Sequence, residues 1–201
     1  MQKMYWSNEL EMVAQKWAQT CAGKHDSFDN RALPGWSLPI GQNSAFGHGS
    51  WSKAIKGWHK EVELFIYGMD YNKTSIPPWN KIGHYTQVVR DLSVLVGCGY
   101  ARCGRTRIYF CNYAYTNIQG KIGWPYVKGP SCAGCPGHCS NNLCDCNGLL
   151  CKNGKLDPKT CTCICKNKYW TGENCGTIDR SKCVARRKRK CPKVCGVCTP
   201  K

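Results

Sequence analysis

Gly83-His84-Tyr85-Thr86-Gln87-Val88-Val89, followed by Arg90, sets one of the chain's five histidines in a run of otherwise uncharged residues. Downstream, from Val94 to Tyr113, the pattern changes to a period of two, with Val94, Val96, Cys98 and Tyr100 alternating against Leu95, Gly97 and Gly99. That alternation predicts a β-hairpin, and a two-residue turn at Gly104-Arg105, whose first position suits glycine, sets Cys98 directly across from Cys111. The register predicts a Cys98–Cys111 bridge and leaves Cys21 for Cys103. The second strand carries another distinctive stretch, Tyr109-Phe110-Cys111-Asn112-Tyr113-Ala114.

In this order and spacing, the two stretches resemble the two signatures of the CAP superfamily, the cysteine-rich secretory proteins, antigen 5 and pathogenesis-related 1 proteins. The resemblance implies an α+β fold, a three-layer α-β-α sandwich, followed here by small disulfide-rich modules. It also implies the same two disulfides, Cys21–Cys103 and Cys98–Cys111. Family members bring two histidines and two acids together in a cleft. By position, Cys21-Ala22-Gly23-Lys24-His25 resembles the first histidine segment, His84 is the second histidine, and Trp58-His59-Lys60-Glu61 resembles the helix that supplies one acid, Glu61. The other acid belongs to a Gly-Glu-Asn triplet, which here reads Gly41-Gln42-Asn43. The family pattern also has Trp where this chain has Arg90, and a further helix before the stretch that opens this chain, so a partial CAP domain is expected.

Upstream of the hairpin, Leu10, Val13, Ala14, Trp17, Ala18 and Cys21 recur at helical spacing, with Ser7 or Asn8 able to cap the start. A second helix is predicted from Ser52 to about Phe65, with Ala54, Ile55, Trp58, Val62 and Phe65 on one face. Pro77-Pro78 bars a helix where it stands.

The 18 cysteines divide the chain: four lie in residues 1–131 and fourteen beyond. The first part can fold around an apolar core. The second is too rich in cysteine and too poor in large aliphatics to do so and needs covalent staples, hence an oxidising compartment. Even counts fit complete pairing within each part. The Cys132-Ala133-Gly134-Cys135 spacing suits zinc, but disulfides are the stronger reading. We divide the chain into a CAP domain at 1–128, a cysteine-rich hinge at 129–145, a module at 146–175 and a basic tail at 176–201. Cys151-Lys152-Asn153-Gly154, Cys161-x-Cys163-x-Cys165 and Tyr169 to Cys175 resemble an epidermal-growth-factor-like module whose first cysteine is Cys144 or Cys146. Cys191-Pro192-Lys193-Val194-Cys195-Gly196-Val197-Cys198 resembles the end of a ShK toxin-like domain.

The substitution of an amide for an acid at Gln42 bears on mechanism. Glutamine cannot act as a general base and is a poor Zn²⁺ ligand beside imidazole or carboxylate. His25 and His84 could still hold Zn²⁺ weakly, with Glu61 assisting, but no cofactor is required by the pattern. There is no His-Glu-x-x-His helix, Gly-x-Ser-x-Gly elbow or phosphate-binding glycine loop. Catalysis is therefore the weaker expectation, a metal-dependent hydrolase being the alternative. His48, His59 and His138 have no motif support.

The formal charge is +17. Arg186, Arg187, Lys188, Arg189 and Lys190 lie between Cys183 and Cys191, so like charges are confined and an anionic partner is expected: sulfated glycosaminoglycan, anionic lipid headgroups or the acidic mouth of a channel. Nucleic acid is not expected in a disulfide-rich setting. Asn72-Lys73-Thr74 is an N-glycosylation sequon. The expected function is that of a secreted, extracellular, non-enzymatic binding protein. The resemblance implies sterol or fatty-acid binding and ion-channel modulation as its candidates, with peripheral membrane contact and glycosaminoglycan adhesion through the tail as others.

Overall fold

The computed structural model describes residues 1–71, 78–117 and 122–183. Its centre is a four-stranded sheet in the order β1-β3-β4-β2, formed by β1 (Tyr5–Trp6), β2 (Ile40–Phe46), β3 (Leu95–Cys103) and β4 (Thr106–Ala114). Strands β3 and β4 form the expected hairpin, with Cys98 paired to Cys111 and Cys103 to Thr106 across the Gly104-Arg105 turn. Both expected disulfides are present, Cys98–Cys111 and Cys21–Cys103.

Alternation along β4 builds the three layers. Ile108 and Phe110 pack with Ala14 and Ala18 of helix α1 (Asn8–Gln19) on one face, while Tyr109, Cys111 and Tyr113 pack with Ala54 and Trp58 of helix α3 (Trp51–Lys60) on the other. Ser7 caps α1, its hydroxyl accepting from the Leu10 N–H at 3.3 Å. Helix α1 lies so close to the sheet that a Cβ at Gly97 or Gly99 would overlap its backbone around Ser7, Leu10 and Ala14. The two glycines in the alternating pattern are thus the helix-facing positions.

The second helix differs from expectation. It starts at Trp51, capped by Ser50, ends at Lys60 and tightens into a 3₁₀ turn at Glu61–Leu64, while Phe65 is already extended. Ala54 and Trp58 are buried, but Ile55 and Val62 face outward. The reason is Glu61, whose carboxylate is drawn towards the next helix. That helix, α4 (Gly83–Val88), is formed by the stretch Gly83-His84-Tyr85-Thr86-Gln87-Val88, and α2 is a single turn at Phe28–Arg31.

Beyond the sandwich, the disulfides pair locally: Cys132–Cys139, Cys135–Cys144, Cys146–Cys161, Cys151–Cys163 and Cys165–Cys175. Cys144 closes within the first group and Cys146 opens the second. Cys183 is also disulfide-bonded, and no described cysteine is free. Short antiparallel pairs complete the segment: β5 (Cys139–Ser140) with β6 (Leu143–Cys144), β7 (Gly154–Asp157) with β8 (Thr162–Cys165), and β9 (Trp170–Thr171) with β10 (Thr177–Ile178). Staples are not all that holds this part. Leu150 is buried in one cluster with Leu10, Ile40, Val94 and Ala114, so the segment shares the sandwich core. Gln2 pairs with Cys144, and Asp145 accepts from the Lys3 ammonium and the Tyr5 hydroxyl, each at 2.8 Å. Among the described residues no helix is long and apolar enough to cross a membrane. Asn72 and Arg186 to Lys190 lie outside the described residues.

Candidate functional site

Strand β2 is an edge of the sheet, and the residues singled out by sequence meet across it. Glu61 stands at the end of α3, where its two oxygens diverge: Oε1 lies 2.6 Å from His84 Nδ1 and Oε2 accepts from the Tyr85 N–H at 3.0 Å. The second contact satisfies a first-turn donor of α4 that has no partner within the helix. The first fixes the His84 tautomer: a carboxylate only accepts, so Nδ1 carries the proton and Nε2 of the neutral ring is left as an acceptor. The Trp58 indole stacks on the His84 ring with centroids 6.2 Å apart, and Asn43 donates to the His84 carbonyl at 3.0 Å.

From the other side of β2 comes His25, on the loop after α1. Its Nδ1 meets Gln42 Oε1 at 2.7 Å and its Nε2 lies 3.4 Å from the Ser44 hydroxyl. The rings of His25 and His84 are 6.5 Å apart, centroid to centroid. Gln42 is held in turn because β2 sets it directly opposite Asn112, to whose Oδ1 it donates at 3.0 Å. The structure therefore brings His25, Gln42, Glu61 and His84 into one cleft.

Sequence reasoning did not find the floor of this cleft. Asp26, next to His25, pairs with Arg31 Nε at 3.0 Å; their side chains are 1% and 7% exposed. Burial pushes the Asp26 carboxyl up from its ordinary range, while Arg31 and the Gln42 amide that faces it pull the other way. Ser27 caps the single turn of α2 between them, its hydroxyl accepting from the Asn30 N–H at 3.1 Å. An acid and an arginine flanking a serine-capped turn was the available signal, and it does not point to a cleft by itself. The His25 residue is exposed overall, yet its ring lies against Phe110 and His84. Partial burial pushes its pKa below the ordinary value; the Gln42 hydrogen bond opposes this, and the positive charge of Arg31 adds to it.

The chain is similar to known proteins. A family model described as the cysteine-rich secretory protein family, CAP, covers residues 1–113. The chain belongs to the CAP family. It is 36% identical over 181 residues to a cysteine-rich venom protein, Mr30, of Conus marmoreus, covering 87% of this chain and 58% of that protein. It is 41% identical over 151 residues to cysteine-rich secretory protein 3 of Equus caballus, covering 72% and 59% respectively. The chain thus spans less than two thirds of the length of these relatives. The crystal structure of NaASP2 with Zn²⁺ is similar with a TM-score of 0.58 and 28% identity over 72% of this chain and 76% of that one.

In this CAP cleft the residues fit a metal poorly. Among the described residues no three His, Cys, Asp or Glu side chains are grouped to hold one. Glu61 is already engaged by His84 and Tyr85, and an amide stands at position 42, so two imidazoles are the available strong donors. The cleft is a set of oriented hydrogen-bonding groups rather than a charged metal cage.

Proposed function

We propose that this CAP protein is a secreted, non-enzymatic binding protein whose cleft is a recognition site. The observation that carries the reading is the fate of the two acid positions: one is Gln42, and the other, Glu61, serves to orient His84. General-base catalysis needs a carboxylate or imidazole within reach of a water or nucleophile and free to take its proton. Here Glu61 accepts two hydrogen bonds from protein, and His25 and Ser44 are engaged with Gln42 and with each other, which leaves His84 Nε2 as the acceptor for a polar ligand group, with an amide rather than a second carboxylate at position 42. Seven disulfides among the described residues and relatives named as venom and secretory proteins support an extracellular setting. The local pairing of the cysteines from Cys132 to Cys175 supports the division into sandwich, hinge and epidermal-growth-factor-like module. Sterol or fatty acid, an ion channel and sulfated glycosaminoglycan are the candidate partner classes, the last through Arg186 to Lys190.

The test is hydrolysis of a broad peptide and ester panel with and without Zn²⁺, run beside direct Zn²⁺ titration. The expected outcome is no turnover above buffer and Zn²⁺ binding that is weak and lost in His84→Ala. Zn²⁺-stimulated turnover that His84→Ala abolishes would establish the hydrolase instead.

A further inference from the structure

One cleft hydrogen is placed by a backbone group on the far side of the sheet. The carbonyl of Leu10, in α1, can only accept. Asn112 of β4 is fully buried and donates to that carbonyl through Nδ2 at 3.4 Å, which turns its Oδ1 towards β2. Gln42 stands opposite Asn112 in the sheet and therefore offers Nε2 to that Oδ1, at 3.0 Å. A side-chain amide has one nitrogen and one oxygen, so Oε1 is what Gln42 has left for His25, whose Nδ1 lies 2.7 Å from it. An oxygen that only accepts requires the hydrogen to be on Nδ1.

The reverse orientation is blocked at both ends. Turning the Asn112 amide over would set its Oδ1 against the Leu10 carbonyl, acceptor against acceptor. Turning Gln42 over would set its Oε1 against Asn112 Oδ1, beside the Asp26 carboxyl that the amide faces. In buried surroundings such contacts leave polar groups unpaired and are costly. Asp26 is itself fixed by Arg31 Nε at 3.0 Å. The hydrogen bond at one ring nitrogen decides the tautomer of the other. A free neutral imidazole favours the hydrogen on Nε2, the opposite of what these bonds demand of His25.

We infer that Asn112 and Gln42 are positioning residues of the cleft: the run of hydrogen bonds from the Leu10 carbonyl holds His25 as the Nδ1–H tautomer and leaves its Nε2 to accept from the Ser44 hydroxyl, 3.4 Å away. Glu61 imposes the same tautomer on His84. Neither neutral ring then offers a hydrogen at Nε2, and the ligand group held at His84 Nε2 is a hydrogen-bond donor. This tautomer control rests on the recognition reading of the cleft for its purpose. It is a property of the ligand-free chain, so it and the expected lack of turnover can fail separately.

The test is a long-range proton–nitrogen correlation spectrum of the ¹⁵N-labelled full 201-residue chain at about pH 8, above the range in which histidine ordinarily titrates. Protonated and bare ring nitrogens resonate far apart, so each tautomer is read directly. In the unaltered chain His25 should show about a tenfold excess of Nδ1–H over Nε2–H, the scale of one hydrogen bond. Gln42→Leu should abolish that excess, and Gln42→Glu, which keeps an acceptor there, should retain it. Asn112→Leu should reduce it at least about threefold. His84, held by Glu61, should stay Nδ1–H in all three variants and so reports that the cleft is intact. A His25 that is mainly Nε2–H in the unaltered chain would overturn the inference without any variant having to fold. An unchanged His25 in Gln42→Leu or in Asn112→Leu, with His84 still Nδ1–H, would remove that residue from the positioning role.

Discussion

Gln42 shows how one atom's identity depends on its neighbours. Its Oε1 receives His25, its Nε2 donates to Asn112, and its amide faces the buried carboxyl of Asp26. A glutamate at 42 would place a second carboxylate beside Asp26 with Arg31 the nearest compensating charge, and like charges at short range raise one pKa or separate the groups. Gln42→Glu should lower stability at pH 7 by about 1–2 kcal/mol, and adding Asp26→Asn should restore most of it, as denaturant titration of the two variants would measure. His25 carries a pH signature. Its folded pKa lies below the ordinary 6.5, so the unfolded chain binds the proton more readily and stability rises with pH across that interval. The melting temperature should therefore fall as pH drops below about 6.5, with a shallower slope in His25→Gln. Within the stretch Gly83 to Val89, His84 reaches the cleft partners with its side chain and Tyr85 with its backbone N–H. Tyr85, Thr86 and Gln87 are buried, Gln87 donating to the Tyr115 carbonyl at 2.9 Å and lying against Gly41, where a Cβ would collide with its amide. The motif was legible, but the division of its residues between cleft and core was not, because that depends on which face of α4 meets β2.

At the scale of elements, the hairpin was the most legible feature, since its alternation, turn and cysteine register are all local. Gly97 and Gly99 stand in the sequence, with Leu95, as the alternate set of the period. Their reason is tertiary: α1 crosses that face too closely for a side chain. Gly99→Ala should destabilise the fold by at least about 2 kcal/mol, read from the denaturation midpoint, because backbone rather than a flexible side chain occupies the space. The end of α3 was less legible. Val62 and Phe65 extend the helical period in sequence, but the chain leaves the α-helix at Lys60 because Glu61 accepts from the start of α4, a long-range pairing that no local period encodes.

The molecule as a whole is joined by contacts the cysteines do not make. No described disulfide links residues 1–131 to the tail, yet Leu150 enters the sandwich core and Asp145 ties the hinge to the first strand. Hydrogen bonds from Lys3 and Tyr5, then the Asn147 N–H, hold the Asp145 carboxyl down at about 2. A depressed carboxyl contributes its stabilisation fully above its unfolded pKa, near 3.8, and loses it as pH falls through about 2. Hinge docking should thus persist at pH 5 and loosen between about pH 4 and 2. At neutral pH, Asp145→Asn should speed amide exchange at Asn147 and Cys144 at least tenfold, and unchanged exchange would show that the backbone pairing to Met1 and Lys3 suffices.

The sequence by itself determined the family, the hairpin register, both sandwich disulfides, the covalent character of the tail and the four residues of the cleft, because each is written in local spacing or in a short motif. Only the tertiary structure decided what those residues do to one another. It turned Glu61 from a cleft acid that could assist a metal into the partner that orients His84, set the Asp26–Arg31 pair against Gln42, and joined in one core segments that had read as separate. Burial and hydrogen-bond direction arise from chains meeting in space, and no one-dimensional pattern carries them.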